Sequence, residues 1–125
     1  MTVRILIVED EAVLRKNLAR LFLREGYEVT TASSRAEALG ELSRVRFETL
    51  LLDIRLPDGD GLELLAALGA WQRPPQTFVM TAISTPETET RAKGLHVQRL
   101  LRKPLDLTQL LGIVGGVSRA SAANR

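Results

Sequence analysis

Short, nearly uninterrupted apolar runs recur along this chain, each followed by a segment with helical spacing. That alternation limits its fold more than any other feature. The first run is Val3-Arg4-Ile5-Leu6-Ile7-Val8, apolar and rich in β-branched residues apart from Arg4. A strand with one wet face would alternate polar and apolar residues. A continuous run is what a strand covered on both faces needs, as in a parallel sheet. Further strand candidates are residues 27–31, 49–52 ending at Asp53, 77–80 ending at Thr81, and 97–101.

The intervening segments read as helices. Residues 11–25 place Val13, Leu14, Leu18, Leu21 and Phe22 on one side, with Gly26 where a helix-ending glycine belongs. Ser34-Arg35-Ala36-Glu37 fits a capping box opening a helix to about residue 45. Residues 54–61 are dense in turn formers, and Leu62, Leu64, Leu65 and Leu68 follow as a helix. Residues 69–75, with Gly69, Pro74 and Pro75, read as a loop. Ser84-Thr85-Pro86-Glu87 combines a capping box with an early proline and opens a mostly polar helix. A last helix spans 105–117, weakened by Gly112, Gly115 and Gly116. Five strands alternating with five helices make a doubly wound α/β domain with a parallel sheet. The expected division is a domain over 1–117 and a small polar tail or linker stub over 118–125.

Composition removes several classes of function. The 125 residues suit one domain. There is no cysteine and a single histidine, which excludes disulfide frameworks, zinc-thiolate sites and paired-histidine catalysts. Aromatic residues are 4% of the chain (Phe22, Tyr27, Phe47, Trp71 and Phe78), too few for a base-stacking module. A net charge of +2 builds no nucleic-acid footprint, so direct nucleic-acid binding is not expected. No apolar run is long enough to span a bilayer, and Met-Thr-Val-Arg leads straight into the first strand without a signal-peptide pattern. A cytoplasmic location without membrane association is expected.

In an open parallel sheet, ligands bind beyond the carboxyl ends of the strands. The notable polar residues all fall there: Glu9 and Asp10 after the first strand, then Asp53, Thr81 and Lys103. Glu9 and Asp10 alone would equally serve a helix N-terminus, and Lys103 alone would be a solvated charge. Together they differ. Three converging carboxylates repel unless a hard cation holds them, and an all-oxygen site suits Mg²⁺. An Asp carboxylate can attack phosphorus and form an acyl phosphate. Phosphoryl transfer then needs charge neutralisation more than acid–base groups, which Lys103 and the Thr81 hydroxyl can supply.

Leu6-Ile7-Val8-Glu9-Asp10, Leu52-Asp53-Ile54-Arg55-Leu56-Pro57 with Asp60-Gly61, Met80-Thr81-Ala82, and Lys103-Pro104 together resemble the receiver domain of bacterial response regulators, the CheY-like family. The resemblance covers about residues 2–117. It implies a flavodoxin-like sheet of order 2-1-3-4-5 and a signalling phosphoacceptor, not an enzyme, that promotes its own phosphorylation and dephosphorylation. It makes Asp53 the phosphoacceptor. It gives Mg²⁺ to Glu9, Asp10, Asp53 and the backbone carbonyl of Arg55. It places Thr81, Ala82 and Lys103 around the phosphoryl group, with Arg55 and Ile83 flanking it and tuning its lifetime. The implied donor is a histidine kinase or phosphotransfer protein. The implied output is an effector domain or homodimer reached through helix 4, strand 5 and helix 5. Pro104 is implied to follow a cis bond.

Two departures bear on output. The family usually has Tyr or Phe three residues before the Lys, where this chain has Leu100. Its usual Gly-Ala seven residues before the Lys is His96-Val97 here, which predicts an early end or a different exit for the fourth helix. Asp58 and Asp60 read as turn residues and His96 as a loop residue. These departures motivate an alternative, a phosphorylation-independent, receiver-like interaction module. A nucleotide-binding or phosphatase enzyme is disfavoured because no Gly-rich phosphate loop follows the first strand.

Overall fold

The computed structural model describes residues 2–71 and 73–123. In chain order its elements are β1 (Arg4–Val8), α1 (Ala12–Arg24), β2 (Glu28–Ala32), α2 (Arg35–Arg44) and β3 (Thr49–Asp53). They continue with α3 (Gly61–Leu68), β4 (Gln76–Thr81), α4 (Pro86–Gly94), β5 (Arg99–Arg102) and α5 (Leu107–Ala123). A small antiparallel ladder, Arg55–Leu56 against Gly59–Asp60, lies between β3 and α3. The five long strands form one parallel sheet of order β2-β1-β3-β4-β5.

That order follows polarity. The inner strands β1, β3 and β4 are the continuous apolar runs. The edge strands Glu-Val-Thr-Thr-Ala and Arg-Leu-Leu-Arg carry the polar residues. Successive side chains point to opposite faces, so each inner strand feeds two cores. Leu6, Val8, Leu50, Leu52 and Val79 pack with Ala38 and Leu42 of α2 and Leu62, Leu65 and Leu68 of α3. Ile5, Ile7, Leu51, Phe78 and Met80 pack with Leu18 and Phe22 of α1 and Leu110 and Val114 of α5. Phe22 also meets Tyr27 edge-on, with ring centroids 5.0 Å apart. Among the described residues no helix is long and apolar enough to cross a membrane.

Three expectations shift. The α4 cap is Thr85, whose hydroxyl accepts from Thr88 N–H; Ser84 lies one residue outside and donates to Glu89. Pro86 occupies the first helical position, where its missing N–H costs nothing. Strand β5 begins at Arg99 and not at 97, because the α4 exit uses the amides of residues 95–97. Helix α5 starts at Leu107, capped by Asp106, and runs to Ala123, so the expected boundary at 117 lies within it. Packing of Leu110 and Val114 on the sheet outweighs the low helix propensity of its glycines. Asn124 and Arg125, the end of the expected tail, lie outside the described residues.

The α4 exit explains the His96 departure. In α1, Tyr27 N–H reaches Phe22 O and Gly26 N–H reaches Leu23 O, with Gly26 at φ 86°. In α4, Val97 N–H reaches Ala92 O and His96 N–H reaches Lys93 O, with His96 at φ 59°. Both are the same helix-ending motif, which wants glycine at the left-handed position. The chain thus keeps the backbone path and seats an imidazole where a glycine costs less. His96→Gly is expected to stabilise the fold by about 0.5–1 kcal/mol, since relieved left-handed strain exceeds the added freedom of the unfolded chain. Urea denaturation checks it: a midpoint that stays put or falls would mean the left-handed turn carries no strain.

Candidate functional site

The parallel register brings the strand ends together. Val8 pairs with Leu52 and Asp53 with Met80, so Glu9 emerges beside Asp53. Thr81 pairs with Arg102, so Lys103 emerges beside the loop after β4. One ligand atom each from Glu9, Asp10 and Asp53 lie within 4.8 Å of one another. Glu9 is 0% exposed and Asp53 5%, while Asp10 faces solvent.

Lys103 joins the two buried carboxylates. Its Nζ donates to Glu9 Oε1 at 2.6 Å and to Asp53 Oδ2 at 2.6 Å. The second oxygens are also held: Glu9 Oε2 accepts from Glu11 N–H and Asp53 Oδ1 from Arg55 N–H. Burial raises the Glu9 carboxyl to about 7, against the opposing pull of Lys103 and the Glu11 amide; the nearby Asp53 charge adds to the rise. Lys103 is pulled down by its own burial, but its hydrogen bonds to Asp53 and Glu9 outweigh that and hold it above the ordinary lysine range.

The donor set is all carboxylate oxygen and carries more negative charge than Lys103 neutralises. It therefore fits a small hard cation such as Mg²⁺. Arg15 of α1 secures the loop that carries two of these carboxylates: its guanidinium donates to Glu9 O at 2.9 Å and Asp10 O at 3.2 Å. Gly61 sets the other side. Its N–H donates to Ile54 O at 2.6 Å, and a Cβ there would overlap the Asp53 carbonyl oxygen.

The Thr81 hydroxyl is turned into its own loop. It donates to Ile83 O at 2.7 Å and accepts from Ile83 N–H at 3.2 Å. Lys103 N–H donates to Thr81 O at 2.8 Å, which ties the two loops, and the Lys103–Pro104 bond is cis. Ala82, Arg55 and Ile83 are exposed around the crevice, Ile83 by 62%. Leu100 is half-buried against the core and borders a cavity of about 510 Å³ between α4 and β5, with Thr81 and Val97 also in its wall.

Sequence reasoning missed three supports. Asp58 accepts from Arg35 N–H and Ala36 N–H, capping α2 from a distant loop; these bonds, Arg35 first, hold its carboxyl below the usual range. Asp60 caps α3 through Leu62 N–H and pairs with Arg91 of α4 at 2.8 Å. Arg15 is the third. Apart from the local Asp60–Leu62 cap, these contacts have no local signal, because each partner is distant in sequence or is a backbone carbonyl.

The family described as response regulator receiver domain matches residues 5–115. The swarming motility regulation protein RssB of Serratia marcescens is 34% identical over 94% of this chain and 54% of its own length. Sporulation initiation phosphotransferase F of Bacillus subtilis is 29% identical over 88% of this chain and 89% of its own. A CheY-like receiver domain protein from Methanospirillum hungatei superimposes with a TM-score of 0.94 at 25% identity, covering 100% of both chains. The chain spans only 24% to 54% of the length of several curated relatives.

Proposed function

The chain belongs to the response regulator receiver family, and from that premise we propose that Asp53 accepts a phosphoryl group and that the change in charge resets the α4–β5–α5 face. The observation that carries this is the Lys103 ammonium shared at 2.6 Å between Glu9 and Asp53, in a crevice that also holds Asp10.

Glu9, Asp10, Asp53 and the Arg55 carbonyl are the residues that would hold Mg²⁺, which when bound supplies charge neutralisation to the phosphoryl oxygens. An Asp53 carboxylate oxygen attacks phosphorus. The bond from phosphorus to the donor's nitrogen or oxygen breaks, and its electron pair leaves with the donor. Lys103 already lies against Asp53 and pairs with a phosphoryl oxygen as charge arrives. The Thr81 hydroxyl exchanges its two Ile83 bonds for a stronger charge-assisted bond to the phosphoryl group, with the Ala82 amide beside it. That exchange moves the loop leading into α4, a helix that buries only Ala92 and so yields at low cost. Arg55 and Ile83, both exposed at the rim, set water access to the acyl phosphate and its lifetime.

A histidine kinase or phosphotransfer protein is the proposed donor, and an effector domain or second copy the proposed reader. The proposed setting is cytoplasmic. Residues 1–117 are the proposed receiver unit and 118–125 its tail or linker stub, which through Ala123 continues α5. The phosphate-independent alternative is not favoured, because it assigns no task to the Lys103 arrangement. The test is incubation with acetyl phosphate and Mg²⁺, borohydride reduction of any acyl phosphate, and peptide mass analysis. Modification at Asp53 is expected, with none in Asp53→Asn. Modification elsewhere, or none in wild type, would sink the assignment.

A further inference from the structure

At the far end of the sheet from Asp53, the segments entering β3 and β4 enclose a second cavity, of about 190 Å³. Its wall includes buried Leu42 and Phe47 and half-buried Trp71, the only tryptophan of the chain. Three arginines line the same cavity: Arg44, Arg46 and Arg73. Arg44 pairs with Glu41 at 2.6 Å, whereas Arg46 and Arg73 pair with no carboxylate among the described residues.

We propose that this cavity docks an acidic segment of a protein partner, which inserts one apolar side chain beside Trp71 and Phe47 and sets carboxylates against Arg46 and Arg73. Size decides the class of occupant. Pockets for drug-sized ligands or cofactors run to about 300–1,000 Å³, so this one is too small for a nucleotide and suits a single side chain. Charge decides the flanks. Like charges gathered around a hydrophobic floor repel until an anionic partner arrives, and among the described residues no carboxylate pairs with Arg46 or Arg73. Chemistry agrees, since a tryptophan flanked by arginines over an apolar floor is the composition that concentrates binding energy at protein interfaces. The site lies across the sheet from the phosphoryl crevice, so it would hold a partner independently of Asp53.

The single tryptophan provides the readout. A random-peptide display library is selected on wild type and, in parallel, on Arg46→Glu/Arg73→Glu. Both positions are exposed, so far-UV circular dichroism should be unchanged. Wild type is expected to enrich peptides with acidic residues around one Leu, Ile or Phe. A synthetic copy of the most enriched peptide should shift Trp71 emission saturably. Its affinity should fall about tenfold or more in the double variant, weaken with added salt, and stay unchanged in Asp53→Asn. Enriched peptides without the acidic pattern, equal binding to the double variant, or no enrichment over it would each overturn the proposal. Loss of binding in Asp53→Asn alone would count against its independence from the phosphoryl site.

Discussion

Lys103→Met is expected to destabilise the fold by about 3 kcal/mol and to abolish phosphoryl uptake. Among the described residues the ammonium is the one cation within 2.6 Å of both Glu9 and Asp53, and those carboxylates are 0% and 5% exposed. Removing one partner of a buried ion pair leaves an uncompensated charge, which costs about 3–5 kcal/mol. The lower end applies here because Glu9 has an escape. Burial already raises it to about 7, so near neutrality it takes up a proton instead of remaining ionised. The pH dependence follows from that. A carboxyl raised in the folded state loses stability as pH climbs from its unfolded value through its folded one. Without Lys103 the folded value rises further, because a lowering influence is gone, so the variant keeps losing stability above pH 7 where wild type has levelled off. The deficit should therefore be larger at pH 8 than at pH 6. Millimolar Mg²⁺ should recover more stability in the variant than in wild type, since a cation bound only by the folded chain stabilises it by mass action. Urea denaturation at the two pH values, with and without Mg²⁺, measures all of this. Equal midpoints for wild type and variant at pH 8 would show that the two ion pairs do not hold the crevice together.

Why the sequence disclosed so much of this site, and so little of its scaffolding, has a physical explanation. Glu9, Asp53, Thr81 and Lys103 each terminate or follow a strand, and in a parallel sheet all such positions converge. Their convergence can be read once the strands are recognised, and β1, β3 and β4 are recognisable because burial on both faces demands unbroken apolar runs. The edge strands β2 and β5 are half-polar, and their starts are displaced by one or two residues from the expected 27 and 97. What pattern could not supply is contact between distant residues. Asp58 looked like a turn residue, yet it caps α2 across a gap of more than twenty positions. Asp60 looked the same, yet it links α3 to α4 through Arg91. The His96 departure was legible, but not its outcome: only the backbone shows that the left-handed turn survives the loss of glycine.

Gly61→Ala should combine a clear loss of stability with a far larger loss of phosphoryl uptake. A methyl group added to a helix start is ordinarily harmless, and Ala is the better helix former. Here the position is different. A Cβ on Gly61 would overlap the carbonyl oxygen of Asp53 and lie 3.3 Å from both the Asp53 carbonyl carbon and Ile54 Cα. Those are backbone atoms and cannot rotate aside. The clash is relieved only if the end of β3 moves away from α3, breaking the 2.6 Å bond from Gly61 N–H to Ile54 O, or if α3 draws Leu62 and Leu65 out of the core. Either path costs about 1–3 kcal/mol, as overpacking of tight contacts does. The chemistry is more sensitive than the fold. Asp53 is aligned by Arg55 N–H on one oxygen and Lys103 on the other, both within 3.0 Å. A shift of about 1 Å at a reacting group can cost on the order of 100-fold in rate. The initial rate of phosphorylation by acetyl phosphate should therefore fall by about that factor, while the urea midpoint drops only modestly. Leu64→Ala, a core truncation in the same helix, should show the reverse balance: a comparable or larger loss of stability with nearly normal phosphorylation in the absence of denaturant. If the two variants instead lose rate in proportion to stability, Gly61 is a folding requirement only, and close backbone approach is not what aligns Asp53.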